Sequence, residues 1–437
     1  MVVGAGAGAG AGAAGNAAAE RLREDGFTGQ LHLVGAEVHR PYNRTPLSKQ
    51  LLTGELTPAD LDLPVFTDLA ATWHLGVTAT ALNLDRHEVA LSTGEQLGYD
   101  GLVLAVGVAP RVLPEAPLHT EHVHLLRTLD DAHAIERSLS GTTGRVVIVS
   151  GGFIGCELAS TARARGLDAT IVDVSPALLR HGLGEVLGDV ATALHAAAGV
   201  RLHLGVGVRS WETHDAGVRL LLDDGERIDA GVRLLLDDGE RIDADLAVVG
   251  VGTDPHVGWL DGSGLENTQG IAANATCHAL RTDGTVVDSV VVAGDAARWP
   301  NLRFDTTPPR VEHWINAIEM GQAAATNLLT GPDTATPFTP VPRFWSAQHD
   351  VHIQSAGMPA LADTVTVIAG SLTSRRVLTA HTTTLPDGAH LLVGLIAFDH
   401  TQALLDATGL IGDTVTLPAP DQLVRPEPPA RTPPRPR

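Results

Sequence analysis

The chain has 437 residues, 44% of them hydrophobic, with 51 acidic against 30 basic side chains and a formal net charge of −21. That length exceeds what one hydrophobic core supports and implies two or three domains, while the acidic balance excludes nonspecific nucleic-acid binding, which needs a basic footprint. No apolar run of the roughly 18 residues needed to cross a bilayer occurs, and Met1-Val2-Val3 followed by Gly-Ala pairs lacks the basic start and leucine-rich stretch of a secretory signal, so a cytoplasmic protein without membrane association is expected.

The first chemical signal is Gly10-Ala11-Gly12-Ala13-Ala14-Gly15, one frame of a run of five Gly-Ala pairs. It opens a predicted helix over 13–25 and precedes a strand over 30–34, and Glu37 follows that strand 22 residues after Gly15. This spacing suits a dinucleotide fold, with the pyrophosphate on the helix N-terminus and the acid on the ribose hydroxyls. A low-complexity start before an ordinary helix is the competing reading, because the strand that should precede Gly10 is mostly Gly-Ala.

The only lysine, Lys49, closes the segment Pro41-Tyr42-Asn43-Arg44-Thr45-Pro46-Leu47-Ser48-Lys49; arginine supplies every other cation, and Tyr42 is one of two tyrosines. A lysine is a compact, mobile point charge that can sit over a small polar atom, as a flavin edge or a phosphate requires. A glycine-bounded, β-rich stretch over 76–107 follows. A second βαβ unit is predicted as a strand over 145–149, a helix over 153–165 and a strand over 169–174, with Ser150-Gly151-Gly152-Phe153-Ile154-Gly155 at its turn and Asp173 at its end. Serine replaces the first glycine there, which is expected to strain the turn. Two dinucleotide motifs imply two dinucleotides, and a flavin with a nicotinamide is the economical pairing.

Residues 216–229 recur identically as 230–243, a strand–turn–strand unit in tandem, and the first copy is expected to be an insertion at a surface edge. Buried strands over 246–249 and 290–293 each run into glycine, the second giving Gly294-Asp295-Ala296, which suits an aspartate on a ribityl chain. A helix over 316–329, a Pro/Thr linker, a β-rich module over 344–416 and a disordered Pro/Arg tail over 418–437 complete the chain. Cys156 and Cys277 form no dithiol motif, which argues against disulfide-reductase chemistry. Cys156 reads as a small buried residue, His349-Asp350-Val351-His352 as structural with no metal bound, and Trp345 as core.

These motifs, with Leu126-Arg127-Thr128, Arg310-Val311-Glu312-His313-Trp314-Ile315-Asn316-Ala317 and Phe344-Trp345-Ser346 in order, resemble the FAD-dependent, NADH-using ferredoxin reductases of bacterial oxygenase and cytochrome P450 systems over about residues 1–410. The resemblance implies an α/β fold class: two Rossmann-like dinucleotide-binding domains, for FAD and NAD, plus a C-terminal α+β domain on a glutathione-reductase-like plan. Its domains would be 1–112 and 250–331 for FAD, 113–249 for NAD and 337–417 for the C-terminal module. Gly10, Gly12, Ala13, Ala14, Gly15, Glu37, Arg44, Lys49, Ala79, Arg127, Asp295 and Trp314 would bind FAD, and Gly152, Phe153, Ile154, Gly155, Asp173, Gly250 and Gly252 would bind NADH. Lys49 and Glu157 would pair beside the flavin as the catalytic residues.

Departures from the family pattern are Ser150, Val106 where threonine is usual, the Gly-Ala stretch and the duplicated unit. The implied function carries electrons from NADH through FAD to a ferredoxin, by a monomer or homodimer. Two alternatives are a flavoprotein acting on a small acceptor, as an NADH oxidase or nitrite-reductase-like enzyme, and an impaired flavoprotein kept as a scaffold.

Lengthening a surface connection costs only about 0.6 kcal/mol per doubling. Deleting 216–229 is therefore expected to leave flavin content and NADH turnover within about twofold. Loss of soluble, flavin-loaded protein would show that both copies are built into the sheet.

Overall fold

The computed structural model describes residues 2–4, 12–63, 68–114, 116–118, 120–140, 144–214, 217–222, 227–230, 243–304 and 310–417. It divides into two compact units, Met1–Asp350 and Val351–Arg437. The first unit is α/β, built on two largely parallel sheets.

One sheet has six strands in the order His278–Leu280, Val286–Val292, Leu102–Leu104, Val2–Gly4, Leu31–Gly35, Ala71–Leu75. Only His278–Leu280 runs antiparallel, so segments from both ends of the unit share one sheet. The sequence led us to expect a Gly-Ala first strand, and the structure corrects this. Val2–Gly4 supplies it where the repeat begins, in register with both Leu31–Gly35 and Leu102–Leu104. Gly10 and the rest of 5–11 lie outside the described residues.

The second sheet is wholly parallel, in the order Arg201–Leu204, Asp168–Asp173, Arg145–Val149, Leu246–Val249, Val123–Leu125. Its central strands are continuous Val/Ile/Leu runs because helices cover both faces of such a sheet, leaving no solvated side to alternate with. Val123, Val147, Val149, Val172, Ala247 and Val249 form its core. Arg145–Val149 and Leu246–Val249 keep the bounds expected of them.

Alanine determines how the first helix packs. In Ala13–Glu24, residues Ala14, Ala17, Ala18 and Ala19 are buried, and the thin face they make lets the helix Trp314–Thr330 approach closely. A Cβ at Gly321 would lie 2.3 Å from the Ala14 carbonyl oxygen, so only glycine fits there.

An antiparallel meander of Val208–His214, Gly217–Leu222 and Arg227–Ala230 holds the first copy of the duplicated unit, with Asp243–Ala244 pairing parallel to Arg227–Ala230. The strands of the copy expected to be an insertion are thus paired within the sheet, while the turn between them lies outside the described residues. Residues 223–226 and 231–242 lie outside the described residues. The copies are identical, so excising either one gives the same chain with one hairpin retained.

The second unit is an antiparallel sheet in the order Val351–Gly357, His390–Phe398, Arg376–Thr384, Thr364–Ser371. Thr414–Val415 pairs with His390–Phe398, and the helix Thr401–Thr408 packs on the same strand. The expected tail 418–437 lies outside the described residues. No helix among them is long and apolar enough to cross a membrane.

Gly321→Ala is expected to destabilise the protein by about 1–3 kcal/mol through overpacking. The check is the urea midpoint of purified protein; an unchanged midpoint would mean that the two helices do not meet at this glycine.

Candidate functional site

Both glycine motifs open a helix, the second directly after the parallel strand Arg145–Val149. Gly12 and Gly152 are the N-caps of Ala13–Glu24 and Phe153–Ala164, both in extended conformation, with no side-chain cap and no acid in the first turn. The N–H groups of such a turn suit a phosphate. Ala13, Ala14 and Gly15 form this turn in the first helix; Phe153, Ile154 and Gly155 form it in the second.

Around the first motif, four of the expected residues come together. Glu37 follows the strand Leu31–Gly35 and is ion-paired with Arg44; it also accepts the Tyr42 hydroxyl at 2.6 Å. Tyr42 in turn accepts the Leu129 N–H at 2.8 Å, and burial pushes its phenol above the usual range, which keeps it a donor. Arg44 donates to the Arg127 carbonyl at 2.8 Å, and Arg127 Nη2 reaches Asp295 Oδ2 at 3.2 Å. Gly294, at φ +77°, turns the chain out of Val286–Val292 so that Asp295 points into this group. Ala79 is buried in another strand, paired with Leu91.

Several buried polar atoms here lack a partner among the described residues: Arg127 Nε, both amide atoms of Asn316 and His313 Nδ1. Buried polar groups are normally satisfied, so this set fits a polar ligand lying against it. Burial also lowers His313 to about 4, leaving the ring neutral. Trp314, half-buried, is the first residue of the helix that carries Asn316.

The second motif is tighter. Asp173 accepts the Gly151 N–H at 2.5 Å and the Ser175 N–H at 2.7 Å. A Cβ on Gly151 would sit 2.8 Å from the Asp173 carboxyl carbon, and one on Gly155 would sit 2.4 Å from the Ser150 carbonyl oxygen. These approaches explain two of its glycines. The expected strain at Ser150 is absent, because its φ is not positive and its hydroxyl accepts the Gly152 N–H at 3.2 Å. Gly250 packs against Ser150, and Gly252 turns the chain at φ +99°.

An ion pair joins the two halves. Lys49 Nζ lies 2.7 Å from Glu157 Oε2, both side chains largely buried. Ser48 donates to the same oxygen at 2.5 Å, and Ser346 donates to Oε1 at 2.5 Å. Glu157 thus has a donor on each oxygen, the condition under which a buried ion pair is tolerable. Nearby, Phe344 meets Phe153 edge-on at 4.8 Å and His313 at a tilt at 5.1 Å between centroids, which connects the second motif to the start of the Trp314 helix.

Sequence reasoning missed Ser48 and Ser346 as partners of Glu157, although both stood inside quoted motifs. It also missed His195 and Gln348, which carry no local pattern. Trp345, read as core, is 43% exposed. Cys156 is fully buried, and burial raises its thiol well above the usual range, as fits a packing residue.

The family model described as pyridine nucleotide-disulphide oxidoreductase matches residues 9–321. The chain is 33% identical to rhodocoxin reductase of Rhodococcus erythropolis over 83% of its own length and 79% of that protein's. It is 32% identical to putidaredoxin reductase CamA of Pseudomonas putida, over 82% and 81%. Among solved structures, the reductase of the covalent putidaredoxin reductase–putidaredoxin complex superposes with a TM-score of 0.80 at 28% identity, covering 92% of this chain and 91% of that one. The ferredoxin reductase for the CYP199A2 system from Rhodopseudomonas palustris gives 0.79 at 29% identity, covering 93% and 94%.

Proposed function

The chain belongs to the pyridine nucleotide-disulphide oxidoreductase family, in its branch of ferredoxin–NAD(+) reductases serving oxygenases and cytochromes P450, and we propose from that premise that it passes electrons from NADH through FAD to a small iron–sulfur protein of the ferredoxin kind. The observation that carries the reading is the buried Lys49–Glu157 pair, set between two uncapped dinucleotide-type helix starts.

We assign 1–112 and 250–331 to FAD binding, 113–249 to NAD binding and 337–417 to a C-terminal module. In support, one sheet draws strands from 2–104 and 278–292, and the other lies within 123–249. The orphaned atoms of Arg127, Asn316 and His313 fit FAD. Gly12, Ala13, Ala14 and Gly15 would face its phosphates, with Gly10 before them. Glu37 keeps free lone pairs for the ribose hydroxyls. Asp295 would meet the ribityl chain, Arg44 and Lys49 would lie by the flavin with Trp314 at the isoalloxazine, Arg127 would lie near the phosphates or adenine side, and Ala79 would also contact FAD. Bound FAD supplies the exchange between a hydride taken from NADH and electrons released one at a time.

The protein's own part is placement and charge. No side chain has to act as general acid or base, so Lys49 serves as a fixed positive charge, and Glu157 with its two serines keeps it from swinging into solvent. Gly152, Phe153, Ile154 and Gly155 would receive the NADH pyrophosphate, with Gly250 and Gly252 opposite and Asp173 at the adenosine ribose. The chain works in the cytoplasm in this reading.

Purified protein is expected to be yellow, to bleach anaerobically with NADH, and to reduce a ferredoxin faster than dioxygen or nitrite. Like charge at Asp173 disfavours a 2′-phosphate by about 1–3 kcal/mol, or about ten- to a hundredfold in kcat/KM for NADH over NADPH. Equal kcat/KM for both nucleotides refutes the Asp173 assignment, and a colourless protein that NADH leaves unchanged refutes the reductase reading.

A further inference from the structure

Glu157 ends a chain of four hydrogen bonds through side chains that the reaction itself does not use. Ser346 Oγ lies 2.5 Å from Glu157 Oε1, Gln348 Nε2 lies 3.0 Å from Ser346 Oγ, His195 Nε2 lies 3.0 Å from Gln348 Oε1, and His349 Nε2 lies 3.0 Å from His195 Nδ1. Ser346 and Gln348 are 1% exposed and His195 0%, while His349 is half-buried. Bulk solvent barely reaches the three buried groups, so each is expected to find its partners within the fold.

The direction of every bond follows from the one before it. Glu157, paired with Lys49, offers only acceptors. Ser346 must donate to it and can therefore only accept from Gln348. The Gln348 nitrogen then faces Ser346 and its oxygen faces His195, so His195 carries its proton on Nε2. A neutral ring protonated there accepts at Nδ1, which makes His349 a donor from its own Nε2. Both rings are neutral near pH 7. Burial lowers His195 to about 4, with the hydrogen bond to Gln348 opposing and His349 pushing the same way; burial lowers His349 too, with Asp350 opposing and Arg163 pushing the same way.

We propose that Gln348 and His195 are positioning residues for the Lys49–Glu157 pair: they hold the Ser346 hydroxyl as a donor to the carboxylate, and the His195 tautomer reports the charge on Glu157. An amide turns over but does not hand a proton on, so Gln348 transmits orientation rather than protons. The inference rests on the contacts of Glu157 and holds whether or not FAD is bound, so its failure and that of the proposed function are separable.

Glu157→Gln reverses the chain. Ser48 and Lys49 both donate at the Oε2 position, so the new amide must put its oxygen there and its NH2 toward Ser346. Ser346 then accepts and donates onward, the Gln348 amide turns over, and His195 moves its proton to Nδ1 to donate to His349. Long-range 1H–15N spectra of the histidine-labelled full chain distinguish the two tautomers, with signals assigned through His195→Gln and His349→Gln. The expected result is Nε2–H at both rings in the wild type and Nδ1–H at His195 in Glu157→Gln.

Ser346→Ala, a milder change, cuts the chain at the carboxylate and is expected to leave His195 as a mixture of tautomers. Nδ1–H at His195 in the wild type, or an unchanged Nε2–H in either folded variant, overturns the proposal.

Discussion

The structure depends most on one buried ion pair. Lys49 closes the segment that follows the first dinucleotide motif, and Glu157 sits in the first turns of the helix that opens the second. Their 2.7 Å contact therefore ties one glycine motif to the other. Taking two charges out of water is costly, and the attraction repays it only where geometry and further hydrogen bonds are good. Ser48 and Ser346 meet that condition, one on each carboxylate oxygen. Removing one partner of such a pair typically costs about 3–5 kcal/mol, because the other charge is left buried alone.

The same constraint explains why a chain that otherwise uses arginine keeps a lysine here. A guanidinium is planar and broad, and matches both oxygens of a carboxylate at once. Here one oxygen is already shared with Ser48 and the other is taken by Ser346, so a point donor fits where a fork does not. Arginine is used where its shape suits: Arg44 spans Glu37 and the Arg127 carbonyl, and Arg127 reaches Asp295 while leaving Nε free. Despite the net charge of −21, the acids of these sites are matched locally, and unsatisfied donors remain where a ligand would lie.

Much of the fold was legible because its signals are local. Arg145–Val149 and Leu246–Val249 are short, largely apolar runs with glycine at one end, and the helix 153–164 differs from expectation by one residue. The motifs also carried Lys49 to Glu157 across more than a hundred residues, through a resemblance rather than through periodicity. The first strand was not legible, because the Gly-Ala run hid the short Val2–Gly4 at its start. Ser150 was misjudged because the turn does not need a positive φ at that position. Trp345 looked like core by composition alone. The contact of Gln348 with His195 spans 153 positions and belongs to no local motif, so nothing in the sequence points to it.

The most direct test of this account is the flavin midpoint potential, with the stopped-flow rate of reduction by NADH, in wild type, Lys49→Ala and Lys49→Arg. A positive charge placed beside a flavin stabilises the negative charge of its reduced state, so on the proposed placement of Lys49 the Lys49→Ala change is expected to lower the potential and slow reduction. Lys49→Arg should recover only part of both, since charge is restored without the fit. A Lys49→Ala protein with flavin fully loaded, unchanged potential and unchanged reduction rate would contradict the placement of this lysine at the flavin.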